Sequence, residues 1–295
     1  MSAKNPIVIT GSHRSGTTWL ANMLGFANNT QIIDEPFNPE SWQYSLDGYA
    51  NFFYTYAPQL DEDLARSAYQ KVLKNKTRFV YKRRNIMRWL SFLLKRLQII
   101  KDPLSAMYIE CFSNNFATDV IIITRHPMAF INSLIRMGWN FPFNHFLKQE
   151  QLMQDFLYKF EDDIRFATNQ SLLIQGAVCW KCVYYVLNEY SNRNNYTLVR
   201  HEDLSTNPVG DFKNLYKKFN LPWTEEVKQK INSYTSPDNP TRAKGEKTHQ
   251  MKRDSASLAF SWKDKFNRES IETVYNLTKE VADNFYTDDE WFEEI

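Results

Sequence analysis

Cysteine is scarce in this chain: three in 295 residues, unevenly spaced, cannot form a disulfide framework. Long hydrophobic runs are missing too. No apolar stretch reaches the ~20 residues that span a bilayer, and the longest candidate, Trp89 to Ile100, is broken by Lys95 and Arg96. The first residues, MSAKNPIVIT, lack the charged-then-apolar pattern of a signal segment. Net charge of one sign is nearly absent. At +2, it argues against a general nucleic-acid binder. The five histidines and three cysteines form no metal-ligand pattern. Neither internal repeats nor a low-complexity linker interrupt the chain. These absences point to a soluble, cytoplasmic protein with no metal and no nucleic-acid partner.

What is present suits one large globular domain over residues 1–295. The chain is 43% apolar and 15% aromatic, and its 24% charged residues mix both signs. The charge is nevertheless uneven. Leu64 to Lys101 carries twelve Lys/Arg and no acid, whereas Glu280 to Ile295 carries seven acids and no base. The acidic stretch reads as a solvated tail. Within the basic one, residues 78–101 mix cations with Phe79, Val80, Met87, Trp89, Leu90, Leu93, Leu94 and Leu97. That pattern fits a packed helix with a solvated face, a peripheral contact with an anionic membrane, or a cap over a cleft.

Ile7-Val8-Ile9 is a short β-branched run ending at Thr10-Gly11, the mark of a buried strand before a tight loop. Leu20, Met23 and Leu24 then recur at helical spacing within Thr17 to Phe26. Gln31 to Ile33, Val120 to Ile123 and Tyr196 to Val199 are further strand candidates. Pro127 stands where a helix begins, with Phe130, Leu134 and Met137 as its apolar face, and Gln175 to Tyr190 reads as a long helix. Strands alternating with helices predict an α/β fold: a mainly parallel central sheet flanked by helices. Much of 40–100 and 140–195 reads as helical insertions.

Gly11-Ser12-His13-Arg14-Ser15-Gly16-Thr17-Thr18 lies between the first strand and the first helix. It matches the P-loop pattern in its glycines and in Thr18, but Thr17 replaces the lysine. The physics of a P-loop-like anion cradle survives that change. Successive backbone N–H groups and the helix N-terminus still attract an anion. The missing lysine disfavours a nucleoside triphosphate and suits a single 5′-phosphate bearing one further anionic group.

Arg14-Ser15-Gly16-Thr17-Thr18-Trp19-Leu20 resembles the 5′-phosphosulfate loop of sulfotransferases that use 3′-phosphoadenosine-5′-phosphosulfate (PAPS). Arg14 stands where the cytosolic branch has a catalytic lysine, and the arginine form is similar to the carbohydrate branch. The resemblance implies that Arg14 stabilises the bridging oxygen as the sulfate leaves. It implies phosphate contacts from Ser15, Gly16, Thr17 and Thr18. Trp19 is equally an adenine neighbour or a core residue. Ile122-Ile123-Thr124-Arg125-His126-Pro127 with Ser133 resembles the family's 3′-phosphate grip, by Arg125 and Ser133. Fainter likenesses lie in Lys101-Asp102-Pro103, in Leu198 to Leu204 with Asn207-Pro208, and in Ser261 to Phe266. Lys252 and Arg253 are nearest to the basic loop that closes on the 3′-phosphate, although the family's R-K-G form is missing.

Sulfuryl transfer needs in-line placement and charge stabilisation, and it is expected here without a metal. A hydroxyl acceptor also needs a general base. Glu35, in Asp34-Glu35-Pro36-Phe37-Asn38-Pro39, resembles the base of carbohydrate sulfotransferases, and the prolines would fix its loop. His145 and His249 are the alternatives. Cys179-Trp180-Lys181-Cys182 sits inside the long helical stretch and reads as packing. The expected reaction transfers the sulfuryl group of PAPS to a hydroxyl of a sugar, lipid or small molecule, releasing PAP. The rival readings are a P-loop kinase or NTPase and a non-catalytic nucleotide-binding or membrane-surface module.

Overall fold

The computed structural model describes residues 5–39, 51–59, 62–74, 96–241 and 252–293. Five strands form one sheet: β1 (Ile7–Thr10), β2 (Thr30–Asp34), β3 (Leu97–Lys101), β4 (Asp119–Thr124) and β5 (Thr197–Arg200). Their order is β2-β3-β1-β4-β5, and every pairing is parallel.

Side chains alternate between the faces of a strand, and here both faces are covered. Val8, Ile33, Ile100, Val120 and Ile122 enter one core with the helices Pro127–Met137, Leu172–Arg193 and Arg268–Ala282. Ile7, Ile9, Ile99, Ile121 and Ile123 enter the other with Thr17–Leu24, Pro208–Lys218 and Glu225–Thr235. This two-sided burial explains why the strands read as unbroken apolar runs. Each fully buried Ile contributes ~1.5–3 kcal/mol relative to exposure.

Parallel pairing has one consequence for function. All five strands deliver their last residues to the same edge. Thr10, Asp34, Lys101, Thr124 and Arg200 therefore lie along one rim, where ligands of open α/β sheets bind.

Two expectations need correction. Residues 97–101 are a central strand between β2 and β1 and not the end of an amphipathic helix. Leu97, Ile99 and Ile100 are buried in the sheet, so this part cannot lie on a membrane. A short apolar run fits a helix or a buried strand equally, and the periodic segment before it masked the change. Residues 78–95 lie outside the described residues. The acidic C-terminal stretch is also no solvated tail. Tyr286 and Trp291 are buried, Tyr286 Oη donates to Glu202 Oε2 at 3.1 Å, and Arg200 pairs with Glu290. The aromatic residues among the acids dock the segment, and their burial outweighs the solvation of its charges.

Cys179 and Cys182 face the core within Leu172–Arg193, and burial pushes both thiols up, Cys182 to about 12. Among the described residues no helix is long and apolar enough to cross a membrane.

Candidate active site

The loop after β1 is shaped by backbone constraints. Gly11 has φ +154°, and a Cβ there would fall 2.2 Å from the carbonyl oxygen of Ile123. Gly16 has φ +105°, and its Cβ would fall 2.6 Å from His201 Cδ2. Arg14, with φ 65°, adopts the left-handed region without being glycine. The loop is held from behind. Tyr184 on the long helix donates to the Ile123 carbonyl at 2.9 Å and accepts from Ser12 N at 3.2 Å. Ser15 Oγ donates to Ser12 O at 2.6 Å. Gly16 caps the helix Thr17–Leu24 with no side-chain hydrogen bond, which leaves first-turn N–H groups for an anion. Gly16→Ala is expected to lower stability by ~1–3 kcal/mol through the positive φ and the clash with His201. A fall in melting temperature without added ligand checks this.

The second stretch meets the loop directly. Arg125, at the exit of β4, donates from Nη1 to the Arg14 carbonyl at 3.2 Å. Ser133 Oγ, on the following helix, accepts from Arg14 Nε at 3.0 Å. Arg14 and Ser133 lie 119 residues apart in sequence and touch here. Both stretches line one cleft of about 610 Å³ with Arg136 and Arg253. The four guanidinium groups oppose one another. Burial, then Arg125, Arg136 and Arg253, push Arg14 down to about 10, although nearby Glu35 works the other way. Burial likewise lowers Arg125, and burial followed by Arg136 lowers Arg253. Among the described residues the buried Nε of Arg125 has no partner. All this positive charge in a poorly solvated place calls for an anion.

Glu35 lines the same cleft directly after β2, also at a positive φ of 45°. Its N–H donates to Lys101 O at 2.7 Å. Lys101 Nζ reaches Glu35 Oε1 at 2.6 Å and Asp34 Oδ1 at 2.5 Å, and Asn38 Nδ2 reaches Glu35 Oε2 at 2.9 Å. The β2–β3 register, Asp34 opposite Lys101, sets up this clamp. Burial disfavours the charged Lys101, but Glu35 and Asp34 outweigh it and raise its pKa. Asp102, fully buried, accepts from Phe37 N at 2.6 Å and Leu104 N at 2.9 Å, which ties the Glu35 loop to the turn after β3. Burial, then the charge of Glu35, push Asp102 up to about 8.

The structure brings together Arg14, Gly16, Thr17, Thr18, Trp19, Glu35, Arg125, Ser133 and Arg253, all of which line the cleft. Trp19 packs at 5.2 Å from His201 and 5.4 Å from Phe212, so it lines the cleft and joins the core at once. Ser15 is fully buried with its hydroxyl donating to Ser12 O, and it does not line the cleft. Lys252 does not line the cleft and sits over the ring of Tyr234 at 5.2 Å. His145 is outside too: its Nδ1 accepts from Phe53 N at 3.0 Å. His249 lies outside the described residues. Sequence reasoning missed His13, Arg136, Trp139 and His201, which line the cleft, and the clamp by Lys101. Of these, His13, Lys101 and His201 carried a local signal, by sitting within stretches already noticed. Among the described residues, no three His, Cys, Asp or Glu side chains gather as metal ligands.

The family model for the sulfotransferase domain matches residues 4–286. The chain belongs to this family. It is an enzyme of the sulfotransferase type, and its parallel sheet is the one such enzymes share. Among solved structures, this sulfotransferase is similar to the sulfotransferase domain from the curacin biosynthetic pathway, with 16% identity over 95% of this chain and 97% of that one, TM-score 0.54. It is equally similar to the sulfotransferase domain of the Synechococcus PCC 7002 olefin synthase, with 16% identity over 98% of each chain, TM-score 0.54. At such identities the likeness concerns the fold alone. No curated protein matches the sulfotransferase in sequence.

Proposed function

We propose that this sulfotransferase moves the sulfuryl group of PAPS to a hydroxyl-bearing acceptor. One observation carries the reading: the phosphate loop and the Arg125–Ser133 stretch share a cleft and touch through Arg14. A nucleotide with anions at both ends would answer the convergence of Arg14, Arg125, Arg136 and Arg253.

Each group then has a task. The loop N–H groups and the first helical turn hold the 5′-phosphate. Arg125, Ser133 and Arg253 face the 3′-phosphate. Trp19 and His201 border the adenine end. As the acceptor oxygen bonds to sulfur, the bond from sulfur to the bridging oxygen breaks. Arg14 takes up the charge developing on that oxygen. The acceptor proton passes to Glu35, whose carboxylate is aimed by Lys101 and Asn38. In this reading, charge compensation comes from guanidinium groups.

Transfer of radiolabelled sulfate from PAPS to a panel of sugar, lipid and phenolic alcohols tests the proposal. Glu35→Gln should cut kcat about 10²-fold while leaving PAP affinity unchanged. Unaltered kcat would remove Glu35 from the base role. Sulfate transfer to none of the acceptors, with intact PAP binding, would favour a non-catalytic nucleotide module. Tight binding of ATP with magnesium, and none of PAP, would favour the kinase reading.

A further inference from the structure

His13 lines the same cleft as Arg14 and Glu35. Its backbone N–H donates to Tyr54 Oη at 3.0 Å, and its Nδ1 meets the same hydroxyl at 2.6 Å. Tyr54 is fully buried, and burial raises its pKa well above the ordinary value, so the phenol keeps its proton. That proton needs an acceptor. Among the described residues, Nδ1 is the one in reach. Were Nδ1 protonated, two N–H groups would point at Oη, and a buried O–H would be left without a partner at its full desolvation cost. The O–H therefore donates to Nδ1.

Burial, and then Arg14, push His13 down to about 4 against the opposing pull of Glu35, so the ring is neutral at pH 7. A neutral imidazole has one N–H, which must then be Nε2–H. Among the described residues Nε2 makes no hydrogen bond, and the half-buried ring lines the cleft. Phe130 at 5.3 Å and Phe141 at 6.3 Å hold the ring in place. Arg14 and Glu35 both bias its ionisation, in opposite senses. In the PAPS reading the sulfuryl group leaves the oxygen served by Arg14 for the acceptor served by Glu35.

We propose that His13 is a catalytic residue, fixed by Tyr54 as the Nε2–H tautomer, which donates a hydrogen bond to a non-bridging oxygen of the sulfuryl group. This rests on the PAPS reading above and adds a residue to it. His13 makes and breaks no covalent bond and keeps its proton throughout. It orients the sulfuryl oxygens for in-line transfer without adding charge. Tyr54 is a positioning residue acting through it.

PAPS and PAP differ only by the sulfuryl group, so paired calorimetric titrations without acceptor isolate the contact. His13→Ala should weaken PAPS about 5- to 10-fold and leave PAP unchanged, the scale of one lost hydrogen bond. His13→Gln, which can donate but cannot act as a base, should stay within about 3-fold of wild type for PAPS. Tyr54→Phe should fall between the two, since the tautomer is then free. Equal losses for both nucleotides, or a Gln variant as weak as Ala, would overturn the role. If wild-type protein binds neither nucleotide, the PAPS reading itself fails. Nitrogen-15 NMR of the free wild-type protein at pH 7 reads the tautomer without any nucleotide: Nε2–H supports the assignment, and Nδ1–H ends it.

Discussion

Arg14→Ala should lower kcat about 10³-fold, with PAP affinity reduced far less. Arg14 is the cation placed inside the loop, at a positive φ that points its side chain towards Ser133 and Trp139. Loss of one preorganised cation from a transition state costs ~10²–10³ in rate. The cations of Arg125, Arg136 and Arg253 around a half-buried Arg14 favour the upper end. Arg14→Lys separates charge from shape. Lysine keeps the charge but lacks the planar fork by which Arg14 contacts Ser133 through Nε and directs two further nitrogens elsewhere. It should recover most, but not all, of the lost rate. Single-turnover measurements of sulfate transfer check both variants. An alanine variant with wild-type kcat would exclude Arg14 from the chemistry.

Arg125→Ala should weaken PAP about 10²-fold and slow the chemical step only modestly. A charge-assisted contact to a phosphate from a buried guanidinium is worth ~1.5–3 kcal/mol. The variant also frees the Arg14 carbonyl that Arg125 now holds. Without nucleotide, the substitution removes a buried cation from a like-charged cluster, although Glu202 loses a favourable neighbour. The melting temperature of the free protein should therefore move little. The gain from PAP should collapse: for wild type it is ~2.7 kcal/mol at 100 times Kd. Calorimetry and thermal unfolding with and without PAP measure the two effects. Unchanged PAP affinity would detach Arg125 from the nucleotide.

Legibility from sequence was uneven for physical reasons. The first strand, loop and helix were readable because their signals are local. A β-branched run, two glycines and an apolar helical spacing lie within about one βα unit, and each constrains the backbone by itself. Pro127 and the run before it were readable for the same reason. β3 was not. Three apolar residues after a long basic and apolar segment carry no period of their own, and only pairing with β1 and β2 makes them a strand. Lys101 was noticed in its K-D-P turn, but its grip on Glu35 depends on a register between strands 66 residues apart. His13 lay within the phosphate loop, and its tautomer is set by a tyrosine 41 residues away. The acidic C-terminus was misjudged because charge counting ignored Tyr286 and Trp291 among the acids.

The sequence alone determined an α/β chain with a P-loop-like glycine loop opening its first helix, and it singled out the Arg125 stretch at a later strand end. Tertiary structure decided the strand order, the meeting of Arg14 with Ser133 and Arg125, the clamp on Glu35, and the proton on His13. Backbone preferences are written in a few neighbouring residues. The partners of a side chain are settled only when both faces of the sheet are buried and distant segments are pressed against the same rim.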